Sequence, residues 1–249
     1  MKYPPPMELG MITSQENYIN DKPLEKSKPY REAIGSLLYL AIISRPDISF
    51  AVNYLSRYNS KPMKTHWKMI KRIFAYLKGT IKFRISFNGS SQLIAYTDSD
   101  YGGDVNTGHS TSGVLIMRGG PIVWYSQKQR LVATSTAEAE YRAAVSSIDD
   151  VCWLRRIGKE LNILEIEEPT TLFIDNQSAI HMLKNMSDGK ITKGKKHIDI
   201  SRKFIQEHIE KTVKLKHVKS SDQLADILTK PLARKIFQNL RSKIIMEEC

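Results

Sequence analysis

Leu93-Ile-Ala-Tyr-Thr-Asp98-Ser-Asp100 begins a new periodicity in the chain: an apolar run one strand long, ended by carboxylates and followed by a Gly102-Gly103 turn. Two more strand candidates follow closely, Gly113–Arg118 and Ile122–Ser126, separated by Gly119-Gly120-Pro121. Three strands in such quick succession read as an antiparallel meander. Ser135 or Thr136 can then cap a long helix through Leu161, with Glu138 and Glu140 in its first turns, where carboxylates complement the helix dipole. Thr171–Ile174 reads as a fourth strand and Asn176–Lys184 as a short helix. A basic loop, Lys190–Lys196, leads to a helix near Asp199–Glu210, and Thr212–Val218 alternates as a fifth strand. From Asp222 the pattern is helical to the end, kinked at Pro231. This order predicts an α/β domain with a five-stranded mixed sheet flanked by helices.

Working outward from that core, Ser86–Ser91 is a polar, glycine-containing linker and the best boundary in the chain. Before it, Pro29 to Lys82 is helical in pattern. His66 to Leu77 puts Trp67, Ile70, Ile73, Phe74 and Leu77 on one face and Lys64, Lys68, Lys71, Arg72 and Lys78 on the other. Residues 1–28 show no periodicity and read as a disordered or truncated tail. The expected organisation is therefore a tail (1–28), a small basic helical segment (29–85) and an α/β domain (92–249). Trp67, Phe74, Trp124 and Trp153 are expected in core packing rather than as stacking platforms.

The formal charge of the 249 residues is +12, and nine of those units lie before residue 91. A basic lobe beside a near-neutral lobe with clustered acids suits a polyanion partner, since Lys and Arg neutralise phosphates and release counterions. Two cysteines, neither in a Cys-x-x-Cys motif, exclude a disulfide framework and argue against zinc. The longest apolar run, near Leu37 to Ile43, is too short to span a bilayer, so no membrane partner and an intracellular setting are expected.

Four acids punctuate the predicted elements: Asp98 and Asp175 at strand ends, Glu140 in the long helix and Asp226 early in the last one. Taken singly, each has an ordinary role: a turn for Asp98, an ion pair with Arg142 for Glu140, a helix cap for Asp226. Carboxylates at the C-terminal ends of strands point into the crevice where α/β domains bind ligands. Converging carboxylates repel one another and suit hard divalent cations such as Mg²⁺ or Mn²⁺. A pair of such ions can bridge a scissile phosphate.

The chain also resembles the ribonuclease H region, with its preceding connection segment, at the C-terminal end of the Pol polyprotein of Ty1/copia-type LTR retrotransposons. The stretches that carry the likeness include Tyr30-Arg-Glu-Ala-Ile-Gly-Ser-Leu-Leu-Tyr39, Arg45-Pro-Asp-Ile48 and Trp67 to Gly79 in the helical segment. Downstream they are Thr97-Asp-Ser-Asp-Tyr-Gly-Gly-Asp104, Ser110-Thr-Ser-Gly113, Ser126-Gln-Lys-Gln129 and Ser135-Thr-Ala-Glu-Ala-Glu-Tyr141. Asp175-Asn-Gln-Ser-Ala179, Lys196-His-Ile-Asp-Ile200 and Asp222-Gln-Leu-Ala-Asp-Ile-Leu-Thr-Lys-Pro231 complete the set.

The resemblance implies a ribonuclease H-like fold that cuts the RNA strand of RNA–DNA hybrids. It implies two Mg²⁺ or Mn²⁺ ions on Asp98, Glu140, Asp175 and Asp226, with Asp100 and Glu138 as alternatives one motif position away. By position it implies hybrid contacts from Ser99, Thr136, Asn176 and Gln177, to which the basic face adds Lys68, Lys71 and Arg72. The polymerase portion of Pol is a further implied partner, and a virus-like particle in the cytoplasm, or the nucleus, the implied location. The family's loop histidine has no counterpart in Val218-Lys-Ser-Ser-Asp222, and His217 reads as a structural strand residue. No polymerase-type aspartate hairpin precedes Tyr30, so the expected identity is a fragment, a degenerate copy or a small derived gene. A nucleic-acid-binding remnant without useful activity, or a co-opted protein-interaction module, are the alternative readings.

Overall fold

A computed structural model of the chain describes residues 4–12, 21–90, 92–163, 168–187 and 203–245. The basic loop expected at Lys190–Lys196 and the start of the helix expected after it lie outside the described residues. Strands β1 (Leu93–Asp100), β2 (Thr111–Arg118), β3 (Pro121–Lys128), β4 (Thr170–Ile174) and β5 (Val213–His217) form one sheet in the order β3-β2-β1-β4-β5. The meander β1-β2-β3 is antiparallel, while β4 runs parallel to both β1 and β5. This is the expected five-stranded mixed sheet.

Helices cover both faces of the sheet. On one side α4 (Thr136–Glu160), α5 (Gln177–Ser187) and α6 (residues 203–208) bury Ala144, Ile148, Val151, Ala179, Leu183 and Ile205 against Ala95, Val114, Ile116, Leu172 and Ile174. Ser135 caps α4 by accepting from the Glu138 amide at 3.1 Å, as its sequence implied.

The opposite face is covered by α1 (Tyr30–Ile43), α2 (Ser49–Ser56), α3 (Lys64–Gly79) and α7 (Arg234–Ser242). Ile34, Leu37, Ile48, Leu55, Ile70 and Ile73 share one buried cluster with Leu115 of β2, Leu224, Ile227 and Leu228 of a 3₁₀ segment, and Phe237 and Leu240 of α7. The helical segment and the sheet thus pack through a continuous core, and Trp124 of β3 donates its indole N–H to the Ala41 carbonyl at 2.7 Å. A buried polar knot lies within it. Arg45 pairs with Asp47 at 2.8 Å and the Tyr76 hydroxyl donates to the same carboxylate at 2.6 Å, which satisfies charges that burial alone would penalise.

Three expectations change. The last segment is not one kinked helix: Leu224–Leu228 is 3₁₀ and α7 begins only at Arg234, because Pro231 cannot donate to a continuing ladder. The buried face of α3 is His66, Met69, Ile70, Ile73 and Tyr76, so Phe74 is 42% exposed; Trp153 on α4 is 53% exposed. Rings with polar tips took the core positions, since the His66 ring lies tilted against that of Tyr58, 3.8 Å between centroids, and Tyr76 reaches Asp47. The stretch read as a tail also packs in part: Met7 is buried, the Leu24 amide donates to the Pro62 carbonyl at 2.9 Å, and Arg72 pairs with Glu8 at 2.6 Å.

Burial pushes His66 down to about 4, against a small opposing pull from Asp21. The native state therefore binds fewer protons at this ring than the unfolded chain does, and the stability it contributes is full above about pH 6.5 and lost as pH falls toward 4. The expected loss by pH 4 is about 3 kcal/mol from this group. Denaturant unfolding of wild type and His66→Gln at pH 7 and pH 4.5 checks it: the variant's pH slope is expected to be the flatter.

Candidate active site

Parallel pairing aligns Tyr96 of β1 with Phe173 of β4, so Asp98 and Asp175, each two residues further on, leave the same sheet edge side by side. The third acid arrives from the other end of the chain. In the 3₁₀ segment Leu224–Leu228 every residue is buried, and Gln223 anchors it by donating from Nε2 to the Thr97 carbonyl at 2.9 Å and accepting from the Ala225 amide at 3.2 Å. Asp98, Asp175 and Asp226 each offer a carboxylate oxygen within 4.8 Å of the others.

Gly113 makes that approach possible. It pairs with Asp98 across β1 and β2, and a Cβ there would lie 2.9 Å from the Ala225 carbonyl oxygen, 2.9 Å from Leu228 Cβ and 2.7 Å from Thr229 Cγ2. Gly113→Ala is therefore expected to push the Asp226 segment off the sheet, costing about 1–3 kcal/mol in overpacking and drawing the Asp226 carboxylate away from Asp98 and Asp175. Thermal unfolding and Mn²⁺ titration of the variant check both.

Glu140 approaches this trio from α4 and feels the charges of Asp98 and Asp175, without an oxygen in the set that lies within 4.8 Å of one another. It is 3% exposed, accepts from the Ser99 amide at 3.2 Å through Oε1, and leaves Oε2 buried without a hydrogen-bond donor among the described residues. Burial, then the charges of Asp98 and Asp175, push it up to about 10. A bound cation would reverse that penalty, so the orphaned oxygen fits a metal ligand. Glu138, the neighbouring candidate, faces outward instead, paired with Arg142 at 2.6 Å and held by Thr134. The Arg142 ion pair considered for Glu140 thus belongs to Glu138. Asp100 stands outside the carboxylate trio, its pKa raised by burial and by Asp98 against Lys230 and Arg57.

Asp226 is pushed up to about 7 by burial and by Asp98, against Lys230. The Lys230 ammonium lies 2.9 Å from Asp226 Oδ1 and 3.5 Å from Asp98 Oδ2. Burial opposes its charge, but Asp98 and Asp226 outweigh that and raise its pKa. The Thr229 hydroxyl donates to Asp98, and Ser220 Oγ donates to Asp175 Oδ2 at 3.0 Å. Gln223, Thr229, Lys230 and Ser220 carry no separate sequence signal; the one clue was the crowding of the first three around Asp226 in the motif Asp222–Pro231, which Ser220 precedes.

The remaining predicted residues spread over different environments. Ser99 is buried, its hydroxyl accepting from Gln129 Nε2 at 3.2 Å, so it is held rather than presented. Gln129 also donates to Ser112 Oγ and the Ala139 carbonyl, both at 2.9 Å, tying β1, β2 and α4 together beside Asp98. Thr136 and Gln177 are exposed, and Asn176 accepts from the Ala179 amide at 3.0 Å as a cap for α5. Lys68 and Lys71 project into solvent from α3, whereas Arg72 is engaged with Glu8 and the Pro5 carbonyl. His217, read as structural, is exposed at the end of β5 with Nε2 3.1 Å from the Asp175 carbonyl oxygen. No described helix is long and apolar enough to cross a membrane.

No family model matches the sequence. Among solved structures, the crystal structure of LC11-RNase H1 in complex with RNA/DNA hybrid is 19% identical, covering 55% of this chain and 94% of that one at a TM-score of 0.39. The retrovirus-related Pol polyprotein from transposon TNT 1-94 of Nicotiana tabacum is 38% identical over 213 residues, which is 84% of this chain and 16% of that protein. The polyprotein from transposon RE2 of Arabidopsis thaliana is 38% identical over 244 residues, 96% of this chain and again 16% of that protein. The chain is thus homologous, over most of its length, to a segment of the retrovirus-related Pol polyproteins of the Ty1/copia type, and spans about 16% of the length of these relatives.

Proposed function

We propose that the chain is a metal-dependent endonuclease of the ribonuclease H type, hydrolysing the RNA strand of RNA–DNA hybrids as a part or derivative of a Pol polyprotein. The observation that supports it most is the meeting of Asp98, Asp175 and Asp226, with Glu140 buried beside them, from four separate stretches of chain. Lys230 offsets the Asp98–Asp226 side, but Glu140 Oε2 stays buried without a donor among the described residues, a penalty that a bound cation would relieve.

In this reading Asp98, Glu140, Asp175 and Asp226 hold two Mg²⁺ or Mn²⁺ ions, which when bound activate a water and stabilise the leaving oxygen. The chain's own residues do the rest. Ser99 N–H orients Glu140, Thr229 orients Asp98, and Ser220 orients Asp175. Exposed Thr136 and Gln177, with Asn176 between strand and helix, are the groups proposed to meet the 2′-hydroxyls that distinguish RNA from DNA. Lys68 and Lys71 are proposed to add phosphate contacts; of the basic trio, Arg72 is the one already committed to the N-terminal segment.

The test of substrate is a comparison of end-labelled duplexes. Cutting confined to the RNA strand of a hybrid, with duplex RNA and duplex DNA intact, is the expected result; equal cutting of duplex DNA contradicts the ribonuclease H reading.

A further inference from the structure

Lys230 occupies a place that the metal reading reserves for a cation. Its ammonium bridges Asp226 Oδ1 at 2.9 Å and Asp98 Oδ2 at 3.5 Å, two of the acids whose oxygens form the cluster. The backbone beneath it is held on both sides: Thr229 is fully buried, Leu232 is buried, and the Lys230 amide donates to the Asp226 carbonyl at 3.4 Å. The side chain is different, since 34% of it is accessible against 2% for Asp98, so it has an exit that its backbone lacks. Asp175, the third acid, is held by Ser220 and by no ion pair among the described residues.

We propose that Lys230 is a tethered counter-cation that holds the Asp98–Asp226 side of the cluster and must swing out before a divalent ion binds there. This rests on the metal-site reading above and deepens it, because the same lone pairs cannot serve an ammonium and a metal at once. The two ion positions then fill unequally: the Asp175 side is free to take an ion directly, and the Asp98–Asp226 side only in exchange for Lys230. Lys230 is a positioning residue in this scheme, setting the metal concentration at which the site is complete.

The test is calorimetric titration of Mn²⁺ into wild type and Lys230→Met, with the ¹⁵N-detected side-chain ammonium resonance of wild type followed during Mg²⁺ addition. Removing the competitor is expected to tighten Mn²⁺ binding about tenfold, which corresponds to displacing an ion pair worth about 1.4 kcal/mol. In EDTA the variant is expected to melt lower than wild type, and Mn²⁺ to restore it. The wild-type ammonium signal is expected to move at saturating Mg²⁺, a readout that stands even if Lys230→Met does not fold. Equal or weaker Mn²⁺ binding by a folded variant, or an ammonium signal unmoved by Mg²⁺, overturns the displacement while leaving the metal site intact. Absence of any Mn²⁺ binding to both proteins overturns the metal site itself, and this proposal with it.

Discussion

Glu140→Gln is expected to lower hydrolysis by on the order of 10³-fold while making the metal-free protein more stable, a combination that only a functional carboxylate produces. The sign follows from the proton balance. In the native state Glu140 is pushed up to about 10 by burial and by Asp98 and Asp175, whereas in the unfolded chain it titrates near its ordinary value. Between about pH 4.5 and 10 the native state therefore holds a proton that the unfolded state has released, and stability falls as pH rises through that window. Glutamine keeps the shape and the Ser99 N–H contact, but has nothing to ionise. Thermal unfolding in EDTA from pH 5 to pH 9 is expected to show a downward slope for wild type that the variant largely loses. Asp98→Asn is a poorer probe of stability, because Asp98 also receives the Thr229 hydroxyl and the Lys230 ammonium, so that relief of repulsion and loss of partners oppose each other.

Removing residues 1–85 is expected to have the larger effect on folding. Leu115, Leu224, Ile227, Leu228, Phe237 and Leu240 are buried in the same cluster as α1, α2 and α3. Each such side chain is worth about 1.5–3 kcal/mol when fully buried, so uncovering several exceeds the roughly 5–15 kcal/mol by which whole domains are stable. The uncovered face is also an apolar patch large enough to drive association. The Asp226 segment belongs to that face, so the carboxylate cluster is expected to come apart with it. Far-UV circular dichroism, size-exclusion chromatography and Mn²⁺ titration of residues 86–249 check this. A monomeric, cooperatively melting fragment that still binds Mn²⁺ is the outcome that contradicts it and restores Ser86–Ser91 as a boundary between separate folding units.

What the sequence revealed and what it hid differ by the range of the interactions involved. The β1-β2-β3 meander, the Ser135 cap and the position of Asp175 just past β4 are local facts of period, turn and cap, and they were legible; Asp98, expected at a strand end, lies inside β1, which continues to Asp100 in pairing with β2. The choice of Glu140 over Glu138 was a matter of helix phase, which two acids two residues apart leave open; the structure separates them by burial, with Glu138 turned out to Arg142. The phase of α3 was misread because His66 and Tyr76 count as polar in a periodicity, yet are buried through a ring contact and a shared carboxylate. Lys230 was visible only as a neighbour of Asp226 four residues away; its contact with Asp98 joins positions far apart in the chain, through the close approach that Gly113 permits.

The most direct measurement is cleavage of an RNA–DNA hybrid labelled on the RNA strand, by wild type and Asp175→Asn, in EDTA and with Mg²⁺ or Mn²⁺. Cutting that requires the divalent ion and disappears in the variant, with both proteins equally folded, is the result predicted. Cutting that persists in Asp175→Asn, or in EDTA, contradicts the assignment of the carboxylate cluster as the catalytic metal site.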